Sequence, residues 1–176
     1  SILYLSNDLG GAWEAKLTGA GYIYAIEQDP VSKEVVYAGT EGGAAFYRST
    51  DYGNSWEAWN TNLPYGPVYS IIATSTEGKT CLHAGSLTWI YRRYSDKPSW
   101  EATYTPPIYS VRAFAPNYAT PEVIYCYWYG IYLNSKSLEA NVWDQKLIVG
   151  ELRSLVADPA DPSSLYMVTQ SREFYK

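Results

Sequence analysis

The chain has 176 residues, 47% of them hydrophobic and 18% charged, the balance of a folded globular protein rather than a disordered one. A net charge of −5 without any run of Lys or Arg argues against nucleic acid and against anionic membrane surfaces, which need concentrated positive charge. The longest apolar stretches, such as Val123–Cys126, fall far short of the ~20 residues that span a bilayer, so no membrane insertion is expected.

In chain order, the first signal is the turn Ser6-Asn7-Asp8-Leu9-Gly10-Gly11-Ala12-Trp13, followed by Glu14-Ala15. Ile23-Tyr24-Ala25-Ile26 then predicts a short strand alternating large and small residues, Asp29-Pro30 a tight turn, and Val35-Val36-Tyr37-Ala38-Gly39-Thr40 a second strand. The same set returns. Val68–Ile71, Ile108–Val111 and Leu152–Leu155 match the first strand, and Cys81–Ser86, Val123–Trp128 and Ser164–Thr169 match the second. Glu77-Gly78, Pro116-Asn117 and the pair Asp158-Pro159, Asp161-Pro162 supply the turns between them.

Trp13, Trp56, Trp100 and Trp143 close successive repeats at intervals of 43, 44 and 43 residues. Nineteen Tyr and seven Trp beside 13 Lys plus Arg suit strands whose large amphipathic side chains pack at one end and meet water at the other. A four-stranded unit of this length cannot bury both faces alone, so such units stack face against face around an axis. The expected fold is therefore all-β, a β-propeller of four-stranded antiparallel blades with a repeat of about 43 residues, having four blades or forming part of a larger ring. The single domain spans 1–176, with units at 21–64, 65–107 and 108–150. Segments 151–176 and 1–20 are grouped as a candidate closing blade.

Ser6–Trp13 and Ser49–Trp56 both fit Ser-x-Asp-x-Gly-x-x-Trp. The pattern resembles the Asp-box of sialidase-like (BNR) propellers. Its logic is readable in the residues: the carboxylate accepts turn N–H groups, Gly takes a positive φ, and Trp packs over the hairpin. Asp8 and Asp51 are thus expected to hold turns rather than to catalyse. Arg93–Trp100 and Lys136–Trp143 keep the Trp and misplace the Asp and Gly, so their hairpins need other support. Ser154–Pro159 followed by Leu165-Tyr166 is similar to the blades of xyloglucanase-type glycosidases, sortilin-type receptors and photosystem II assembly factors. That resemblance covers nearly the whole chain and implies a fold shared by enzymes, receptors and assembly factors.

Tyr24, Tyr69, Tyr109 and Arg153 fall at one position of the four first strands, those expected nearest the axis, where they either ring a channel mouth or pack between blades. Three residues on, Glu27 and Arg112 stand where the other copies hold Ile72 and Val156, which suggests a salt bridge across the ring or a ligand contact. These six residues are the candidate ligand-binding set. A glycosidase needs two facing carboxylates, and Glu27 is the one acid placed near the axis, so no catalytic residue is assigned. His83 is the single histidine, and no phosphate loop or metal signature occurs; neither metal nor cofactor is expected. Cys81 and Cys126 sit at different depths of equivalent strands and are expected as free buried thiols. Trp59, Trp89 and Trp128 lie outside the main register, either as platforms for carbohydrate or as core caps.

The resulting expectation is a non-catalytic binding or scaffolding module, extracellular or extracytoplasmic, contacting a glycan or a protein, with assembly onto another chain as one way to complete a ring. The alternative is a glycoside hydrolase of sialidase or xyloglucanase type, of which this chain holds part of the site.

Overall fold

The computed structural model describes residues 1–176 apart from 65, 88, 105–110, 121–122, 128–130, 135–142, 148–151, 162, 170–173 and 176, with backbone alone at 104, 131–134, 143–147, 152–153, 169 and 174–175. The described residues contain strands and no α-helix. Strands β1 (Leu3–Leu5) and β2 (Glu14–Leu17) form a two-stranded sheet. The first four-stranded sheet is β3 (Ile23–Gln28), β4 (Val36–Thr40), β5 (Phe46–Ser49) and β6 (Glu57–Ala58). The second is β7 (Val68–Thr76), β8 (Lys79–Ser86), β9 (Ile90–Tyr94) and β10 (Glu101–Tyr104). The third is β11 (Ala113–Pro116), β12 (Ile124–Tyr127), β13 (Ile131–Asn134) and β14 (Trp143–Leu147). A three-stranded sheet of β15 (Leu152–Ala157), β16 (Leu165–Thr169) and β17 (Phe174–Tyr175) follows.

Every sheet is an antiparallel meander, and the first strands β3, β7, β11 and β15 stand side by side in sequence. This is the blade arrangement of a β-propeller. Residues 1–20 and 151–176 contribute separate sheets among the described residues, the former packing Leu3 and Leu17 onto Ala38 of the first four-stranded sheet.

The cores lie between sheets. Tyr37, Phe46 and Trp59 of the first sheet meet Ile71, Leu82, Tyr91 and Trp100 of the second. Ile72 and Ile90 of the second meet Val111, Ile124 and Cys126 of the third, and Ala115 and Tyr127 of the third meet Leu155, Ala157 and Met167. An inner sheet is therefore covered on both faces, which is why β8 is buried at six successive positions, Thr80 to Gly85, instead of alternating. Both cysteines are buried and free; burial pushes the Cys81 thiol up to about 12, leaving it inert at neutral pH.

Two glycines set the distance between sheets. A Cβ on Gly39 would meet Cγ1 and the carbonyl oxygen of Val68, each at 2.8 Å, and a Cβ on Gly85 would meet the Val111 carbonyl oxygen at 2.7 Å as well as Ser70 Oγ. Ser70 Oγ donates to that same Val111 carbonyl at 2.9 Å, and Val111 N–H donates to the Ser86 carbonyl at 2.9 Å. The second strand of one sheet thus touches the first strand of the next through backbone.

The two Ser-x-Asp-x-Gly-x-x-Trp turns are built alike. Ser6 Oγ donates to Asp8 Oδ1 and accepts from Gly10 N–H, Asp8 Oδ1 accepts from Ala12 N–H, and Trp13 Nε1 donates to the Gly10 carbonyl, at 2.8, 2.7, 2.8 and 3.1 Å. Ser49, Asp51, Gly53, Ser55 and Trp56 repeat these bonds at 2.7, 2.8, 2.8 and 3.0 Å. Leu9 and Gly10, like Tyr52 and Gly53, have positive φ, so Asp8 and Asp51 hold turns whose tips are left-handed.

The third hairpin lacks that chemistry and is held by Lys79 Nζ to Asp96 Oδ2 at 2.8 Å and Arg93 Nε to the Lys97 carbonyl at 3.1 Å. Its tryptophan does not cap the turn. Trp100 is 2% exposed, against 62% for Trp13, and donates from Nε1 to the Trp59 carbonyl of the preceding sheet at 2.9 Å.

Gly85→Ala is expected to destabilise the fold by about 1–3 kcal/mol, because the Val111 carbonyl oxygen, fixed in the backbone, occupies the space together with Ser70 Oγ; urea unfolding should show a lower midpoint at an unchanged slope. Asp51 is held down to about 2, first by the Ser55 hydroxyl and amide and then by Ser49. Its folded value lies below the unfolded one, so its contribution is fully present above about pH 4 and lost as the pH falls toward about 2. Asp51→Asn should lower the melting temperature near pH 7, with the gap to wild type closing over that acid window.

Candidate functional site

The pairing register assembles a row along the first strands. Ile23 pairs with Thr40 and Ala25 with Gly39, so Tyr24 is the extra residue of a bulge. Val68 pairs with Ser86 and Ser70 with Gly85, which leaves Tyr69 in the same role. In the last sheet Leu152 pairs with Thr169 and Ser154 with Val168, leaving Arg153. Bulges re-aim the side chain they carry, and here they recur at one depth of the first, second and last sheets.

The third sheet corrects the alignment read from sequence. Ala113 pairs with Tyr127, as Ala25 does with Gly39, and Arg112 N–H reaches the Tyr127 carbonyl at 3.4 Å. Arg112, not Tyr109, therefore occupies the Tyr24 position, and the counterpart of Glu27 is Ala115. Tyr109 lies outside the described residues. The reason is the turn that follows the strand: Asn117 Oδ1 accepts from Ala119 and Thr120 N–H, each at 3.0 Å, and Asn117 Nδ2 donates to Tyr125 Oη at 3.0 Å. Asp158 accepts from Ala160 N–H at 2.9 Å and from Tyr166 Oη at 3.2 Å in the same way. Asp29, 2% exposed, accepts from Val31 and Ser32 N–H, from Tyr37 Oη at 2.6 Å and from Thr80 Oγ1 at 2.6 Å. Counting back five residues from Asp29, Asn117 and Asp158 gives Tyr24, Arg112 and Arg153. The pairing of Asp or Asn with a Tyr eight residues later was visible in the sequence and is the signal that would have set the register.

Three of the predicted residues meet in space. The Tyr24 and Tyr69 rings have centroids 5.0 Å apart, and the Arg112 guanidinium carbon sits 4.1 Å from the Tyr69 centroid, close enough for a cation–π contact. Tyr22, which the sequence reading passed over, extends the row with its centroid 6.4 Å from Tyr24 at an interplanar angle of 31°. Tyr22 and Tyr24 are 64% and 41% exposed. Arg153 takes the next position by register alone.

Glu27 stands apart from this row. It is half-buried, faces the second sheet, and accepts from the Ala73 N–H at 3.3 Å. No ion pair among the described residues includes it, so the salt bridge across the ring with Arg112 does not form. Loss of water around the carboxyl pushes it above the ordinary glutamate range, and the Ala73 amide only partly offsets this. Glu27 lines a groove of about 520 Å³ with Ile71, Ile72, Phe114, Pro116 and Tyr118.

The off-register tryptophans divide. Trp59 is buried and clasped by two guanidiniums, with Arg93 Cζ 3.4 Å and Arg48 Cζ 4.7 Å from its ring centroid; burial, and then Arg48, bring Arg93 down to about 10. Trp89 is 37% exposed at the lip of a cavity of about 200 Å³ with Leu63, Val68 and Tyr91. Trp128 lies outside the described residues. His83 is fully buried at the position that Tyr37 holds in the first sheet.

No family model matches the chain, and no curated protein matches it. Solved structures do. A GH74 xyloglucanase from Xanthomonas campestris superposes with a TM-score of 0.72 at 16% identity, over 97% of this chain and 32% of its own. A GH74 enzyme from Niastella koreensis gives 0.71 at 14% identity, over 93% and 31%. The extracellular domain of a protein described as a one component system from B. thetaiotaomicron gives 0.67 at 14% identity, over 94% and 23%. The chain spans about a third of the GH74 structures, and the likeness is one of fold.

Because the folded-state value of Glu27 is raised, the folded protein holds this proton more tightly than the unfolded chain does. Stability is therefore lost as the pH rises past the unfolded value near 4.5. Glu27→Gln should match wild type below about pH 4 and unfold at a higher urea concentration near pH 7; an unchanged difference between the two pH values would refute the assignment.

Proposed function

We propose that this chain is a non-catalytic β-propeller module that binds a glycan along the row of Tyr24, Tyr69, Arg112 and Arg153, with Tyr22 at its exposed end. The observation that carries the reading is the neighbouring pair Tyr22 and Tyr24, exposed, tilted by 31° and 6.4 Å apart. Successive pyranose rings can lie against such faces while an adjacent guanidinium donates to hydroxyl oxygens. The two hairpin turns are read as Asp-boxes, structural elements on the outer edge, and the setting as extracellular, by analogy with the extracellular domain among the structural neighbours.

The hydrolase alternative draws on the xyloglucanase likeness. Among the described residues that line the groove around Glu27 there is no second carboxylate, which weighs toward binding without cleavage.

Xyloglucan oligosaccharides are the first probe. Titration by calorimetry should show binding that Tyr24→Ala and Tyr22→Ala each weaken by about five- to tenfold, the scale of one lost aromatic contact of about 1–1.5 kcal/mol, while reducing-sugar release stays at background. Binding unaffected by both substitutions removes the row as the site; release of reducing ends establishes the hydrolase.

A further inference from the structure

We propose that the groove along β7 is a second binding site, which takes an organic ammonium group carried on an apolar body. It lies at the end of the first strands away from the tyrosine row, between Glu27 and Pro30 on one side and Phe114, Pro116 and Tyr118 on the other, with Ile71 to Ser75 as its floor. Its volume of about 520 Å³ is that of a small-molecule pocket.

The chemistry of the lining selects the ligand. Glu27 is the single charged residue among those that line the groove. The other polar groups are largely engaged: Thr74 Oγ1 donates to the Cys81 carbonyl at 3.3 Å, and Asn117 is bonded to Tyr125 and to two turn amides. Glu27 has one long hydrogen bond, through Oε1 to Ala73. A carboxylate partly removed from water, supported by a single amide, gains most from a cation that brings its own donors. Ile71, Ile72, Phe114 and Pro116 offer contact to an aliphatic or aromatic stem, as lysine-like and arylalkyl amines present. A neutral or anionic ligand of the same shape leaves the carboxylate unpaired or opposes it.

The test compares three probes of one shape on the whole chain, 4-phenylbutylamine, 4-phenylbutanol and 4-phenylbutyrate, by protein-detected NMR with the Ala73 amide as the local reporter. The amine is expected to bind at least about tenfold more tightly than the alcohol, to move the Ala73 resonance, and to lose that preference in Glu27→Gln, which keeps the shape and the acceptor for Ala73. A Phe114→Ala variant should weaken all three probes together. Equal affinity for amine and alcohol, preference for the butyrate, a preference that survives in Glu27→Gln, or no binding at millimolar probe overturns the proposal. Tyr24→Ala leaves amine binding unchanged, so failure here and failure of the glycan reading are separate results.

Discussion

Backbone contact between neighbouring sheets is the constraint on which the rest of the structure depends. Gly39 and Gly85 occur at the same place in the second strands of consecutive sheets, and where a side chain would go Gly39 has the first strand of the next sheet and Gly85 has Val111, just before such a strand. At that separation the large residues beside the contact interdigitate: Phe46 and Trp100 have ring centroids 4.7 Å apart, with Tyr37 and Trp59 packed around them. The third sheet departs from the rule. Its corresponding residue is Tyr127, opposite Ala113, and the ring fills the space against Leu155 and Ala157 that the earlier junctions close with backbone. Propeller packing is thus met in two ways within one chain, by close approach at the first two junctions and by a bulky side chain at the third.

The hairpins show a similar division. Where Ser, Asp and Gly stand at the required spacing, the turn is satisfied within eight residues and its Trp donates to the Gly carbonyl, exposed at Trp13 and partly buried at Trp56. Where they do not, the turn depends on Lys79 and Arg93 from elsewhere in the sheet, and Trp100 is released to fill the core of the junction. Tryptophans at one sequence register therefore do two jobs, and the local hydrogen bonds decide which.

Both proposed sites lie on the first strands, at two depths. At the bulges, an extra residue in each strand turns Tyr24 and Tyr69 toward one another and brings Arg112 onto the second ring. Three residues beyond Tyr24, Glu27 faces a groove with a different chemistry, in which it is the one charged residue among the described lining residues. The likeness to much longer GH74 structures concerns the scaffold on which both features sit.

The repeat, the strand order and the turn chemistry of Asp8 and Asp51 follow from the sequence because they rest on contacts between residues a few positions apart. The same locality explains why six candidate site residues could be named without a structure. Only the tertiary structure decided which of them meet. The run at 108–111 resembles its counterparts by composition, yet the pairing of Asn117 with Tyr125 places the third sheet three residues further along and puts Arg112 into the row. The fates of Trp59, Trp100 and Glu27 were likewise undecided, since each depends on a neighbour about 40 residues away: Trp100 on the Trp59 carbonyl, Glu27 on the Ala73 amide. A repeat of that length records what every blade has in common, whereas the junctions between blades, where the proposed site lies, are set by how unlike residues at matching positions fill the space between two sheets.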